Sequence, residues 1–478
     1  MNPTQQQQAI IEAASAGSNL VIKAFAGSGK TSTLGMVANT VQKPSLYIAF
    51  NKSIAEEASK KFPSHVTCKT MHSLAWGSII RSSRSPLAKK LQGFWNLEDI
   101  ADPVLPQDSI IPFKLEVTGI VTAFCQSANE SIADFASQTV SLYPGVASAA
   151  VKLWSDATNP ASSVGMTHDV YLKMFQLQKE VLPYSCIYLD EAQDSNPVTL
   201  AIVAAQKHAQ KIVVGDTYQS IYGWRGAVNA LDSLPKDFQT MYLSESFRFN
   251  QSIADMATRL TAIAGNDVPV VGHGTETELS SKAILVRNNS TLLDVLLEAH
   301  KKGEKVHVLA DLTDLWSKVY HISALYFKQV PRYANKELKQ YRNYAELVTA
   351  ADSLPELKKL IKATIKLSEG GLTANINNIK SIIVDEAVAD FTVSTIHKSK
   401  GLEWSYVIIA DDILYQKEEQ TLAEALLDNQ TLNLIYVAVT RAKVEVVVPD
   451  DVMDVLNSWE SLKEDWAELV QVPVEGNV

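Results

Sequence analysis

The sequence has little of what marks secreted, membrane-bound or disulfide-stabilised proteins. It contains only three cysteines in 478 residues, and their positions (Cys68, Cys125 and Cys186) show neither pairing nor metal-ligand spacing. No apolar run approaches the ~18 residues that a membrane span needs, and the polar N-terminus does not resemble a signal peptide. These absences predict an intracellular protein with no membrane partner, in the cytoplasm or nucleoid, or in the nucleus if the host is eukaryotic.

The sequence also lacks an excess of positive charge. Its formal net charge is −10, so the protein as a whole repels polyanions. Any contact with a phosphate backbone must therefore use local basic and aromatic patches. The hydrophobic fraction of 46% supplies material for more than one core, and the length suggests roughly three or four domains of ~100–200 residues.

A segment near the N-terminus has the pattern of a phosphate-binding loop. Residues 20–22 are apolar, as in a buried parallel strand, and residues 24–31 have the sequence AFAGSGKT. Gly27 and Gly29 let the backbone curl so that its N–H groups point at phosphate oxygens, and the helix expected next adds its positive end. Ala24 departs from the general pattern, which has glycine there. We expect these residues to hold the nucleotide: Ala26, Gly27, Ser28, Gly29, Lys30 and Thr31.

Two adjacent acidic residues follow a second apolar run, residues 186–189. Asp190 and Glu191 come at the carboxyl end of this predicted strand, where open α/β sheets bind ligands. Adjacent residues on a strand point to opposite sides, so two roles are natural. Asp190 can hold Mg²⁺ together with Thr31, while Glu191 orients or deprotonates the attacking water. With Lys30 on the β- and γ-phosphates, the pattern predicts a site that hydrolyses ATP.

Short apolar strands alternate with helical stretches in two series, which predicts two parallel α/β domains. The strands of the first series are at residues 20–22, 46–48, 186–189 and 212–214, and those of the second are at 283–286, 306–309, 406–409 and 444–448. Each domain is interrupted by a mainly helical insertion. The predicted boundaries are 1–75 and 166–245 for the first domain, 76–165 for its insertion, 246–311 and 386–478 for the second domain, and 312–385 for its shorter insertion.

Further segments with unusual composition are spread along both series. They are FNK at 50–52, TMHS at 70–73, GDTYQSIYGWRG at 215–226, SFRF at 246–249, TIHKSKGLEW at 395–404 and YVAVTRAK at 436–443. Arg248 and Arg441 lie far from the phosphate loop in sequence. We expect them to reach the γ-phosphate across an interdomain cleft, where they would stabilise transition-state charge and couple hydrolysis to domain closure.

Taken together, these segments resemble the ordered motifs of the superfamily 1A DNA helicases of the UvrD/Rep group. The phrases GDTYQSIYGWRGA, SFRF, HKSKGLEW and YVAVTRAK are most similar to the F-box DNA helicase branch, without its F-box segment, and the resemblance spans about residues 2–445. It implies two RecA-like P-loop domains. It also implies an ATP-dependent helicase or translocase that moves 3′→5′ on single-stranded DNA and acts at junctions of single and double strands.

The resemblance implies roles beside the nucleotide for several residues: Gln5 or Gln6 at the adenine edge, Phe247 stacked on adenine, Gln219 at the γ-phosphate, Arg248 and Arg441 as arginine fingers, and Glu403 as a nucleotide-side acid. One position beside the nucleotide departs from the family pattern. Ser32 stands beside the nucleotide where many relatives carry arginine.

The resemblance also implies contacts with single-stranded DNA, at Phe50, Asn51, Thr70, His72, Tyr222, Trp224, Arg225, Arg287, Asn288 and His397. Stacking of a base on an aromatic side chain is worth ~1–3 kcal/mol and tolerates any sequence, which suits a motor on DNA. Other roles remain open, since Tyr222 and Trp224 could be core aromatics, and His72 and His397 could be structural histidines. The segment at Phe50 is one residue shorter than the bacterial pattern.

Two alternative functions remain. The first is a DNA-stimulated ATPase that strips proteins from DNA with little unwinding. The second is a nucleotide-dependent clamp without motor action, which would keep Lys30 but would need neither Arg248 nor Arg441. A GTPase is disfavoured because residues 51–54, NKSI, lack the aspartate of a guanine-reading Asn-Lys-x-Asp.

Overall fold

The computed structural model describes residues 2–221, 223, 231, 237–331, 335–352, 354–414 and 428–458. The chain divides into two compact units, Met1–Leu243 and Ser244–Val478. Each unit is built on a sheet of parallel strands with helices between them, so the α/β class predicted from the sequence is confirmed. Among the helices that the model describes, none is both long enough and apolar enough to cross a bilayer.

The first unit contains a six-stranded parallel sheet in the order β3-β2-β4-β5-β1-β6. Its strands are Leu20–Ala24 (β1), Ser45–Ala49 (β2), Val66–Thr70 (β3), Cys186–Leu189 (β4), Gln210–Gly215 (β5) and Gln239–Leu243 (β6). In the central strands β2, β4 and β5 every residue is buried, which explains the apolar runs at 46–48, 186–189 and 212–214. Because all strands are parallel, the segments that follow β1, β4 and β5 leave the sheet at one edge.

Helices cover this sheet and form the insertion between β3 and β4. The described helices of the first unit are Gln5–Ser15, Lys30–Val41, Lys52–Lys61, Met71–Ala75, Pro86–Lys89, Gln107–Gln126, Ile132–Gln138, Val146–Thr158, His168–Gln178 and Pro197–Ala205, with a π-helix at Trp76–Ile80 and 3₁₀ turns at Leu97–Asp99, Ala192–Asp194 and Thr217–Gln219. Polar side chains start several of them. The Asn51 side chain, for example, accepts a hydrogen bond from the Ile54 N–H at 2.9 Å and caps Lys52–Lys61.

The second unit contains a five-stranded parallel sheet in the order β10-β11-β9-β12-β13 and a separate parallel pair, β7 and β8. The strands are Glu245–Ser246 (β7), Val271–Gly272 (β8), Lys282–Val286 (β9), Val306–Val308 (β10), Phe391–Thr395 (β11), Trp404–Ile409 (β12) and Ala442–Val447 (β13). The described helices are Gln251–Ile263, Asn289–Lys302, Thr313–Tyr326, Tyr344–Ala351, Pro355–Ser368, Leu372–Ser381, Ile396–Ser399 and Asn429–Val439, with 3₁₀ turns at Leu338–Gln340 and Glu386–Val388.

Candidate functional site

The phosphate loop follows β1, and its shape depends on glycine. Gly27 and Gly29 have φ angles of 74° and 78°, in the left-handed region that glycine enters without steric cost. Gly29 is the N-cap of the helix Lys30–Val41 and supplies no side-chain cap. The Ser28 hydroxyl is buried without a hydrogen-bond partner among the described residues. A buried hydroxyl without a partner beside a helix N-terminus fits an oxygen-rich anion such as phosphate.

Lys30 and Glu191 form an ion pair at the carboxyl edge of the sheet. The Lys30 Nζ lies 3.2 Å from the Glu191 Oε1, which joins the segments after β1 and β4. Burial acts to lower the pKa of Lys30, but the carboxylates of Glu191, Asp216 and Asp190 outweigh it and hold that pKa above its ordinary value. The lysine is therefore a permanent cation at this edge.

Asp190 is almost fully buried, and both of its carboxylate oxygens are oriented. The Tyr47 hydroxyl donates to its Oδ2, and the Glu191 N–H donates to its Oδ1 at 2.8 Å. Burial and the neighbouring Glu191 raise the pKa of Asp190, against the opposing effect of Lys30. A cation would relieve this cost, and a carboxylate with the Thr31 hydroxyl is a donor set that Mg²⁺ accepts when phosphates and waters complete its shell. The residues therefore fit the metal.

Glu191 has an unusual backbone conformation for a residue with a side chain. Its φ and ψ of 50° and 45° lie in the left-handed region. Strain of this kind persists only where surrounding contacts impose it, and it is concentrated at functional sites. The turn directs the Glu191 carboxylate back toward Lys30.

Gln193, which the sequence analysis did not assign, connects this carboxylate to the segment after β5. Its buried side chain donates to the Glu191 Oε2 and accepts from the Asp216 N–H at 3.0 Å. A Cβ on Gly215 would lie 2.4 Å from the Gln193 Oε1, so only glycine leaves room for this amide. Asp216 in turn accepts from the Gln219 Nε2 at 2.6 Å. Gln193 thus links Glu191 to the predicted γ-phosphate sensor, Gln219.

We expect Gln193→Ala to lower ATP turnover by roughly 10²-fold with little change in ATP affinity, because a misplaced Glu191 costs about that much. Gln210→Ala is the matched control. Gln210 is also buried, and its amide donates to the Ala14 and Ser18 carbonyls at 2.8 Å, but it lies at the opposite end of β5. Thermal melting and steady-state kinetics of both variants check the prediction, and equal losses of turnover would contradict it.

One glutamine of the N-terminal run lies against the phosphate loop, and it is neither of the two that the sequence predicted. Gln7 is buried, and its Nε2 donates to the Thr33 Oγ1 at 3.1 Å, next to Gly29. Gln5 is exposed and Gln6 is half-buried. The adenine-edge role of Gln5 or Gln6 stays a prediction, and Gln7 is a third candidate that four consecutive glutamines could not single out. The remaining loop positions range from buried to exposed: Ala26 is buried, Thr31 half-buried and Ser32 exposed.

Three of the predicted DNA-side residues line one open cavity of about 120 Å³ with the acidic pair. Phe50, Thr70 and His72 share it with Asp190 and Glu191. Phe50 is 44% exposed. Thr70 caps the helix Met71–Ala75, and the His72 Nε2 lies 3.3 Å from an Asp169 oxygen, so both also have structural contacts. The predicted residues Tyr222, Trp224 and Arg225 lie outside the described residues.

In the second unit, the two predicted arginine fingers contact adjacent residues, Arg248 binding Glu403 and Arg441 binding Leu402. The Arg248 Nε donates to the Glu403 Oε2 at 2.9 Å, and its Nη1 donates to the Thr440 carbonyl at 3.1 Å. Arg441 is 1% exposed and donates to the Val437 and Leu402 carbonyls. The structure therefore brings Arg248, Glu403 and Arg441 into one cluster.

The other predicted residues of the second unit lie in two places. The backbone N–H groups of Arg287 and Asn288 donate to the Asp412 carboxylate at 3.0 and 2.9 Å, and the Arg287 Nη1 donates to the Ile413 carbonyl at 2.8 Å. Asp412 thus orients the start of the helix Asn289–Lys302. His397 is half-buried on the short helix Ile396–Ser399.

Comparison with known protein families finds one match in each of the two units. An AAA domain model matches residues 6–225, and a model of the UvrD-like helicase C-terminal domain matches residues 390–448. The first match contains the phosphate loop and the Asp-Glu pair, and the second contains Glu403 and Arg441.

Similar proteins include F-box DNA helicase 1 of Gallus gallus, 30% identical over 92% of this chain and 48% of the relative. F-box DNA helicase protein 1 of Schizosaccharomyces pombe is 27% identical over 94% of this chain and 57% of the relative. ATP-dependent DNA helicase PcrA of Staphylococcus aureus is 31% identical over 30% of this chain and 18% of the relative. The chain spans about half the length of the two F-box relatives. It belongs to the UvrD-like superfamily 1 helicases, in the branch that includes the F-box DNA helicases.

Proposed function

We propose that this protein is an ATP-dependent DNA helicase that moves 3′→5′ along single-stranded DNA and uses ATP with Mg²⁺. The observation that carries the proposal is the ion pair of Lys30 and Glu191 at 3.2 Å beside the buried Asp190. At one edge of the sheet it brings together a cation that can bind phosphates, a general base that can activate water, and a ligand for a metal ion. Similarity to named DNA helicases supports DNA as the substrate.

Each residue of this edge has a distinct role in hydrolysis. Phosphate oxygens compete with Glu191 for Lys30, because both are anions within reach of the same ammonium group. Glu191 then orients the attacking water and accepts its proton. Asp190 and Thr31 would hold Mg²⁺, which neutralises phosphate charge. Gln193 keeps the Glu191 carboxylate in place and connects it to Asp216 and Gln219.

The cavity that Phe50 shares with Glu191 supports coupling between DNA and hydrolysis. Phe50 offers an exposed ring on which a base can stack in any sequence. A strand bound there would touch the wall that also holds Asp190 and Glu191. We therefore expect ATP turnover to be weak without DNA and strongly stimulated by single strands, with DNA binding that weakens as salt rises.

A strand-displacement assay on 3′-tailed and 5′-tailed duplexes tests the proposal. We expect unwinding of the 3′-tailed duplex and little of the other. The family resemblance implies that the insertion at 312–385 is a shorter form of a mobile domain that restrains unwinding in the bacterial enzymes. We therefore expect a single copy of this protein to be less restrained and to unwind as a monomer. Single-turnover reactions with limiting protein, alongside the Glu191→Gln variant, measure both properties.

Each contrary outcome favours a different function. A preference for the 5′ tail would contradict the direction, and activity only at several proteins per tail would contradict unwinding by a monomer. Stimulated ATPase with displacement of a bound protein but no unwinding would favour the stripping translocase. An ATPase rate that ignores single-stranded DNA would favour the clamp.

A further inference from the structure

The segment Gly272-His273-Gly274 runs against the loop that carries Phe247 and Arg248. The His273 N–H donates to the Ser246 carbonyl at 2.7 Å, and the Gly274 N–H donates to the Phe249 carbonyl at 2.8 Å. These bonds extend the parallel pairing of β7 and β8, in which Ser246 is the partner of Gly272. His273 therefore lies beside Phe247.

Both glycines are required by this close approach. A Cβ on Gly272 would lie 2.4 Å from the Asn250 carbonyl oxygen, and one on Gly274 would lie 2.5 Å from the Phe249 carbonyl carbon. Both obstacles are backbone atoms, which cannot rotate away as a flexible side chain could. The two segments therefore form a rigid pair at this point.

Within this pair, the side chain of His273 covers the ring of Phe247. The two rings are nearly parallel, with an interplanar angle of 22° and centroids 5.7 Å apart. The His273 Nε2 lies 3.5 Å from a Glu245 carboxylate oxygen, so the imidazole has a second neighbour besides Phe247. Phe247 still keeps 50% of its side-chain surface exposed, enough for a second flat group to stack on it.

We propose that His273 is a positioning residue for the nucleotide, whose imidazole holds the Phe247 ring as a flat platform for the nucleobase. The inference rests on the proposed use of ATP and on the stacking of Phe247 on the base, which the family resemblance implies. His273 limits the orientations of the ring, so less freedom is lost when a base binds. Because stacking tolerates any base, the platform favours nucleotides over base-free triphosphates and does not discriminate between adenine and guanine.

The test compares nucleotide binding and turnover of the full chain with those of His273→Ala and His273→Phe. We expect His273→Ala to raise the KM for ATP and the Kd for both ATP and GTP by roughly three- to tenfold, the factor that one aromatic contact represents. Its kcat should stay within twofold, and the Kd for inorganic tripolyphosphate should not change. His273→Phe should restore ATP affinity, since a planar ring returns. His300→Ala, an exposed histidine on Asn289–Lys302, is the matched control.

A double variant shows whether His273 acts through Phe247. If it does, Phe247→Ala with His273→Ala should bind ATP no more weakly than Phe247→Ala alone. Additive losses, a fall in kcat at constant KM, no recovery in His273→Phe, or unchanged ATP affinity in Phe247→Ala would each overturn the proposal. Calorimetric Kd values need no DNA, so a failure of strand displacement would count against the helicase proposal and not against this one.

Discussion

Glu191→Gln is expected to bind ATP with near-normal affinity and to turn it over ~10²- to 10⁴-fold more slowly, the contribution of a positioned general base. Glutamine has almost the same shape but cannot accept the proton of the attacking water. Lys30→Ala is expected to abolish measurable turnover. It removes the cation for the phosphates and also leaves the half-buried Glu191 without the partner that lies 3.2 Å away.

Steady-state ATPase rates and single-stranded DNA affinity of folded variants check both expectations. The affinity for single-stranded DNA should change little in Lys30→Ala, because Lys30 is not among the residues predicted to contact DNA. Glu57→Gln provides a matched control, since Glu57 is an exposed carboxylate paired with Lys61 on a surface helix. Turnover close to that of the unmodified protein in either site variant would remove the assignment of this edge as the hydrolysis site.

Local sequence predicted those parts of the protein that local chemistry determines. The phosphate loop is defined within eight residues, because the positive φ angles at Gly27 and Gly29 need glycine wherever the loop occurs. Asp190 and Glu191 follow a strand of four buried residues, so their place at the sheet edge follows from the parallel topology. The resemblance to UvrD-like helicases was confirmed for the same reason, since its motifs are contiguous segments.

The strands β6 and β11 were not predicted, because their sequences lack a continuous apolar run. In β6, QTMYL, most side chains are exposed or half-buried at the edge of the sheet. In β11, FTVST, Thr392 and Ser394 are buried although both are polar. Hydrophobic patterning cannot identify either kind of strand, and only the neighbouring strands reveal them.

Site residues that act through distant partners were missed as well. Gln193 lies two residues after Glu191, but its amide matters because Asp216 and Gly215 come from another strand end. Gln7 is one of four identical residues, and only its bond to Thr33 separates it from the others. His273 matters through contacts with residues 245–249, more than twenty positions earlier in the chain.

Arg248→Ala and Arg441→Ala are each expected to lower turnover by ~10³-fold or more, because an arginine finger supplies charge that develops only in the transition state. ATP binding should suffer less. The two variants differ in what else they disturb. Arg248→Ala also removes the ion pair with Glu403. The Glu403 side chain is 47% exposed, so the free energy of unfolding should change little. Arg441 is buried, and its loss removes its hydrogen bonds to the Leu402 and Val437 carbonyls, of which the Val437 carbonyl still accepts from the Thr440 hydroxyl.

The rate of single-turnover hydrolysis at saturating ATP therefore has to be compared with the melting temperature of each variant. Arg259→Ala is the matched control for a structural arginine, since its Nη2 donates to the Leu456 carbonyl at 2.7 Å and to the Asn457 side chain at 2.9 Å. It should melt earlier and hydrolyse normally. Arg248→Lys should recover only part of the rate, because an ammonium group keeps the charge but lacks the planar fork. A loss of less than tenfold in both alanine variants would mean that neither arginine reaches the γ-phosphate, and that hydrolysis does not depend on the second unit in the way the sequence predicts.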